Sequence, residues 1–226
     1  MLRIAHRGAS GYEPENTLVA FERAMDLRAD MIELDVRLSK DGFVVVIHDK
    51  KVDRVTDGTG KVSTLTLEEL KHLDTGSGQT LYTLEEILKK VNGKVKVNID
   101  LKEDRAVDKT VELIEKFVKE KVFTFDDFLI SAFKPTILWK IRKRNSKIPV
   151  TFNFVAFPPF FLILSKIMGL RYIKPQKRLV TPEFSYISHS MGFLILVWTI
   201  NTKEDAKKMS AYHVDGIITD YPDILF

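Results

Sequence analysis

Two short stretches of this sequence end an apolar run in a histidine followed by a charged residue: Ile4-Ala5-His6-Arg7 and Val46-Ile47-His48-Asp49. Imidazole titrates at about 6.5, so two such groups facing one cleft could give and take a proton in a single reaction near neutrality. Between them, Met31-Ile32-Glu33-Leu34-Asp35-Val36 alternates, and Val95–Lys102 repeats the alternation with Asn98, Asp100 and Lys102. In an extended chain alternate residues share a face, so Glu33 and Asp35 point one way and Ile32, Leu34 and Val36 the other. Where helices cover a sheet they take the apolar set, which sends the acids inward. Burying a carboxylate costs several kcal/mol, of the order of 2–7 for a polar group and more for a charge, unless something neutralises it. An ion-pair network with Arg7 and Lys102 would do so. Three inward acids on two strands point instead to a bound cation, and all-oxygen ligands favour Mg²⁺ or Ca²⁺ over zinc. The other histidines promise less. His72 belongs to a helix surface, and His189 and His213 precede strands.

The elements that must hold these residues alternate from end to end. Strands are expected over Leu2–His6, Met31–Val36, Val44–His48, Val95–Leu101, Phe128–Ser131, Val150–Phe154, Leu194–Trp198 and Gly216–Thr219. Helices are expected over Thr17–Leu27, Thr83–Val91, Ala106–Glu120, Pro135–Arg144 and Lys203–Ala211, with weaker patterns near 159–168 and 182–191. Thr66-Leu67-Glu68-Glu69 and Thr83-Leu84-Glu85-Glu86 are capping boxes, in which a threonine hydroxyl and a glutamate satisfy each other's backbone amides. Strand–helix alternation over 226 residues fits one α/β domain, a (β/α)₈ TIM-type barrel spanning 1–226, since such barrels run from about 200 residues upward. The rival open sheet lacks its Gly-x-Gly-x-x-Gly turn, because His6-Arg7-Gly8-Ala9-Ser10-Gly11 follows the first strand. Residues 50–82 break the rhythm. A connection that long is expected to be a small insertion over the active-site face.

Composition narrows the function classes. Lys and Arg number 35 against 31 Asp and Glu, a net charge of only +4 with both signs interleaved, so no basic arm marks a nucleic-acid binder. The absence of cysteine excludes a disulfide scaffold, a thiolate metal site and a cysteine nucleophile. No apolar leader precedes His6, and Pro158, Pro159 and Lys166 interrupt the most hydrophobic window, so a cytoplasmic chain without a transmembrane segment is expected.

Taken in order, His6-Arg7-Gly8, Pro14-Glu15-Asn16-Thr17, Glu33-x-Asp35 and His48-Asp49 resemble the signature of the glycerophosphodiester phosphodiesterases. The likeness continues through Asp57-Gly58-Thr59-Gly60, Asn98-Ile99-Asp100-Leu101-Lys102, Trp198-Thr199-Ile200-Asn201 and Asp215–Pro222, nearly the whole chain. The resemblance implies a metal-dependent barrel enzyme that hydrolyses small-molecule glycerophosphodiesters to sn-glycerol 3-phosphate and an alcohol. It implies His6 and His48 as the general base and acid, with either order open, and Glu33, Asp35 and Asp100 around a divalent cation. Arg7 and Lys102 would meet the phosphate, Trp198 would wall the glycerol, and Glu15 and Asn16 would support the site. Asp100 departs from the pattern, which usually has a glutamate there. Two alternatives stay open: a lysophospholipid-cleaving enzyme whose run Phe157–Leu164 touches a membrane surface, and a barrel that binds phosphate ligands without catalysis.

Overall fold

Period-two strands and capped amphipathic helices come together around a closed ring. The computed structural model describes residues 1–224. In chain order the strands and α-helices are β1 (Leu2–His6), α1 (Leu18–Asp26), β2 (Met31–Leu38), β3 (Val44–Val46), α2 (Leu67–Lys71), α3 (Leu84–Val91) and β4 (Lys96–Leu101). Then follow α4 (Val107–Lys119), β5 (Phe128–Ala132), α5 (Pro135–Arg144), β6 (Val150–Phe154), α6 (Pro158–Ile167), β7 (Tyr172–Pro175), α7 (Pro182–Ser190), β8 (Leu194–Val197), α8 (Lys203–Ala211) and β9 (Gly216–Thr219). Eight of the strands are parallel, and β1 closes the ring by pairing with both β2 and β9. β3 stands outside it, antiparallel to β2. The expected (β/α)₈ barrel is what forms.

Two expectations about its strands need correction. Val44–His48 is not a barrel strand: only Val44–Val46 is extended, and it pairs antiparallel along the end of β2, past the last residue that pairs with β1. His48 therefore sits on the turn after β3 rather than on a strand end. The missing eighth staple is β7, whose four residues Tyr172-Ile173-Lys174-Pro175 include a buried lysine and a proline, a composition that reads as loop.

Alternation sorts the strand residues into two environments. Outward-facing Ile32, Leu34, Val97, Ile99, Ile130 and Phe152 are buried under the helices. α3 shows why the helices stay there. Thr83 caps it with the expected box, and Leu84, Ile87, Leu88 and Val91 recur at helical spacing and are all buried. Each such side chain stabilises the domain by about 1.5–3 kcal/mol, and Leu88→Ala would cost about 2–5 kcal/mol through the cavity left behind. Inside the ring, Ile4, Met31, Leu129, Leu196 and Ile218 form an apolar plug at the lower end. Strand pairing then raises polar residues above it, because His6 lies beside Glu33, Glu33 beside Asn98, and Asp35 beside Asp100.

Residues 50–82 fold over a separate cluster of Val45, Ile47, Val52, Val62, Leu70 and Leu81, joined to the ring through β3. Among the described residues, no helix is long and apolar enough to cross a membrane.

Candidate active site

The chain leaves β1 through a sharp turn. Arg7 adopts φ 56° and Gly8 φ 82°, in the left-handed region that a side chain other than glycine's disfavours. At Gly8 a Cβ would lie 2.7 Å from the Ala20 backbone carbon, so the turn is closed to any larger residue. Arg7 is held in this conformation by its surroundings. Its backbone N–H donates to Glu33 Oε2 at 3.1 Å, and its Nη1 donates to Glu15 Oε1 at 3.0 Å. Its Nε lies 3.1 Å from Asp35 Oδ2, an ion-pair distance but off the line that a hydrogen bond needs. Asn16, at φ 60°, donates through Nδ2 to Asp35 Oδ2 at 3.0 Å and accepts the Asp35 N–H. Its side chain is thus spent on Asp35, and Thr17 caps α1 instead.

A cavity of about 100 Å³ opens at the C-terminal end of the ring, lined by His6, Arg7, Glu33, Asp35, His48, Asp100, Lys102, Phe133, Asn153, Lys174, Trp198 and Ile218. The expected catalytic, metal and substrate residues therefore meet in one place, with Glu15 behind Arg7 and Asn16 behind Asp35. Both imidazoles are backed by a carboxylate. His6 Nδ1 lies 2.6 Å from Asp220 Oδ1, and His48 Nδ1 lies 2.6 Å from Asp49 Oδ1. An ionised carboxylate only accepts, so each Nδ1 carries the proton and each Nε2 is left for the cavity. Asp220 is itself oriented by Ser10 Oγ at 3.0 Å and Asn201 Nδ2 at 2.5 Å. Asp49 is gripped by Arg54, whose Nε donates to Oδ2 at 2.7 Å while its Nη1 and Nη2 clasp Glu15 at 2.8 and 2.7 Å.

The electrostatics set the groups apart. Burial alone would lower the His6 pKa, but the Asp220 hydrogen bond and the Glu33 charge prevail and hold it above the ordinary value. For His48 burial wins over Asp35 and Asp49, and its pKa falls. Burial also opposes ionisation of Asp35, yet Lys102 and Arg7 hold its carboxyl well below the usual range. Lys102 donates through Nζ to Asp100 and pairs with Asp35 Oδ1 at 2.8 Å. Asp100 further accepts from Ser131 Oγ at 3.0 Å and Asn153 Nδ2 at 2.7 Å. Glu33 is treated differently. It receives only the Arg7 N–H, no cation of the described residues pairs with it, and burial plus the neighbouring Asp35 charge push its pKa up. Lys174 is its counterpart, buried on Asn98 Oδ1 at 2.7 Å and Ser131 Oγ at 3.1 Å and driven down by burial.

This donor set suits a hard divalent cation. One carboxylate oxygen from each of Glu33, Asp35 and Asp100 lies within 4.8 Å of the others, and all three residues are buried. Among the described residues no cation lies at ion-pair distance from Glu33, and the buried Asn153 Oδ1 has no hydrogen-bond partner, so the site carries acceptors that no side chain satisfies.

Sequence reasoning left out Asp220, Asn153, Lys174 and Arg54 as site residues. The period-two rule reaches Asn153, which shares a face with Thr151 inside an expected strand. Lys174 was hidden by the unseen β7, and nothing in the sequence around Arg54 distinguishes it from other surface arginines. His72 bonds Glu68 O and His189 bonds Asp215, both away from the cavity.

Fold and mouth together define a barrel enzyme, with the chemistry gathered at the C-terminal ends of its strands. Residues 6–224 match the model of the Glycerophosphoryl diester phosphodiesterase family, and the chain belongs to that family of phosphoric diester hydrolases. It is 39% identical over 236 residues to the glycerophosphodiester phosphodiesterase of Caldanaerobacter subterraneus subsp. tengcongensis, covering 99% of this chain and 96% of that one. It is 27% identical over 268 residues to a lysophospholipase D of Mus musculus, covering 98% of this chain and 79% of the other. Among solved structures, an Oleispira antarctica phosphodiesterase in complex with the product sn-glycerol-3-phosphate superimposes with a TM-score of 0.91 at 28% identity, covering 99% of this chain and 94% of that one.

Proposed function

We propose that this enzyme hydrolyses glycerophosphodiesters to sn-glycerol 3-phosphate and an alcohol, with His6 and His48 as the acid–base pair. The observation that carries the reading is the pair of carboxylate-backed imidazoles facing one small cavity beside Arg7 and the three buried acids. His48, whose pKa is lowered by burial, starts neutral and takes the proton from the attacking oxygen at Nε2. His6, raised against burial by Asp220 and Glu33, starts protonated more readily and delivers its proton to the leaving alkoxide. Arg7 offsets the charge that builds on the phosphoryl oxygens, and Glu15 fixes the guanidinium while it does so. Glu33, Asp35 and Asp100 would hold a divalent cation, Mg²⁺ or Ca²⁺, which supplies Lewis-acid polarisation of the phosphoryl group when bound. Lys102, paired with Asp35 and Asp100 at the cavity wall, would add a second positive charge for the phosphate. Residues 50–82 form a small insertion over the mouth.

The phosphoryl group would sit in this small cavity beside Arg7 and the acids, with the alcohol extending past the rim. Glycerol would lie against Trp198, whose ring meets that of Phe133 edge-on at 5.8 Å. A second reading, a lysophospholipid as the diester, is favoured by the half-exposed Phe133 at this rim and by the exposed Phe157 on the same face of the barrel. A metal-titrated assay over a panel of glycerophosphodiesters, with sn-glycerol 3-phosphate release as readout, tests the proposal. Turnover confined to another class of phosphoester would overturn it.

A further inference from the structure

α6 is apolar on both of its faces. Its sequence Pro158–Ile167 carries two polar residues, and one of them, Ser165, faces inward, fully buried with its Oγ unpartnered. Phe161, Leu162 and Leu164 pack inward on the barrel, but a second set of large apolar residues faces out. Phe157 just before it is 76% exposed, and Phe160, Ile163 and Ile167 follow at helical spacing, the last 69% exposed. Beside this stripe α7 presents Tyr186, 77% exposed, and Ile187. Between the two helices runs a groove of about 410 Å³ lined by Pro159, Ile163, Leu179, Phe184, Ile187 and Met191 among others, apolar throughout. Scattered exposed apolar residues need no explanation, but a stripe along a whole helix with an apolar groove at its side does.

Charge says what covers it. Residues 155–192 contain Lys166, Arg171, Lys174, Lys177 and Arg178 against the single acid Glu183, so they hold the whole net +4 of the chain. Lys174 is buried in the barrel, and Lys177 pairs with Asp205 of α8. The remaining three keep their charge outward. Lys166 donates to Met191 O, Arg178 donates to Val155 O, and Arg171 lies over the Tyr172 ring. Cations thus stand at both ends of α6: Arg178 at the catalytic end, Lys166 and Arg171 at the other. A second copy of the chain docking the same face on itself would bring like charges together, which disfavours that occupant.

We propose that the α6–α7 face docks on an anionic lipid surface, with α6 lying along the interface and its aromatic and aliphatic stripe inserted among the acyl chains. An apolar face combined with flanking cations is what binding in the plane of an anionic bilayer requires. Phe157 stands at the end of β6 on the catalytic face, so docking would set the mouth beside the bilayer. Docking serves the lysophospholipid reading above but does not depend on it: if docking fails, hydrolysis of soluble diesters persists, and if hydrolysis fails, vesicle binding persists.

The test is sedimentation of the full chain with vesicles of phosphatidylcholine alone and of phosphatidylcholine with phosphatidylglycerol. Wild type should pellet with the mixed vesicles and stay in solution with the neutral ones, and about 1 M salt should release it by screening. The triple variant Phe160→Ser, Ile163→Ser, Ile167→Ser should lower partitioning about tenfold or more, given the apolar area withdrawn. The charge variant Lys166→Glu, Arg178→Glu should do the same without touching the apolar stripe, and it decides the matter should the triple variant misfold. Phe43→Ser, an exposed aromatic on the β3 side, should change nothing. The proposal is overturned if wild type ignores mixed vesicles, or binds neutral ones equally. It also fails if the charge variant pellets like wild type. Light scattering that shows a dimer split by the triple variant, without vesicle binding, would assign the face to a second copy.

Discussion

Arg54 ties the insertion to Asp49 behind His48 and to Glu15 behind Arg7, so Arg54→Met is the substitution whose consequences the structure specifies most fully. It removes two hydrogen bonds to Glu15 at 2.7 and 2.8 Å and two to Asp49 at 2.7 and 3.3 Å. The guanidinium is itself about half exposed, which screens the interaction, while its partners are each less than a third exposed. Exposed pairs are worth about 0.2–1 kcal/mol, and this bidentate, partly buried arrangement places the total at about 1–2 kcal/mol. The activity effect comes through Asp49, which orients His48. Released from Arg54, the carboxylate holds the imidazole less firmly, and kcat should fall about tenfold, or about 1.4 kcal/mol, with KM little changed. The pH dependence separates this account from a generic loss of packing. The Arg54 hydrogen bond, against some opposition from burial, holds the Asp49 pKa down to about 2. A depressed folded pKa contributes stability that is complete above the unfolded value of about 3.9 and is lost as pH falls through the folded one. The stability gap between wild type and Arg54→Met should therefore be full at neutral pH and close as pH falls from about 4 to about 2. Denaturant unfolding at a series of pH values, with steady-state kinetics at neutrality, measures both. A pH-independent gap, or an unchanged kcat with the full stability loss, would refute the reasoning.

Exhaustive chelation and dialysis should abolish turnover, with recovery on adding Mg²⁺ or Ca²⁺; full activity without metal would remove Glu33, Asp35 and Asp100 from the ligand role. His6→Ala and His48→Ala should each lower kcat by about 10²–10⁴ while leaving the melting temperature close to wild type, and near-normal turnover in either would end its assignment. Asp220→Asn should lower kcat and shift the basic limb of the pH–rate profile, set by deprotonation of the general acid His6, downward, since the hydrogen bond that raises the His6 pKa is weakened. Asp100→Asn should raise the metal concentration for half-maximal activity. If that concentration is unchanged with normal kcat, Asp100 serves only Lys102, Ser131 and Asn153.

The barrel was legible because its signal is repeated: alternating strands, two capping boxes and amphipathic helices agree on one ring. What escaped was what breaks local rules. β7 carries a lysine where a strand should be apolar, yet Lys174 belongs there because Asn98 and Ser131 receive its ammonium inside the ring. Val44–His48 reads as a good strand, but only three residues of it pair, along the last residues of β2 past the point where β1 stops pairing. The inward acids followed from alternation alone. Asp220 comes from the far end of the chain, Arg54 from the insertion, and their hold on the two imidazoles depends on tertiary proximity that no spacing encodes.

The small cluster beneath residues 50–82 has a consequence for how this chain can open and diversify. Val52, Val62, Leu70 and Leu81 pack chiefly on one another, with Val45 and Ile47 as the hinge to the ring. Amide exchange there should proceed by a local opening of lower free energy than barrel unfolding, with the Arg54 contacts as its latch. The same independence lets the segment lengthen or shorten at a loop-closure cost of only about 0.6 kcal/mol per doubling, leaving the ring unrepacked. Length changes in this segment would then leave in place the ring that carries the two imidazoles and the three buried acids, reaching them only through the Arg54 contacts.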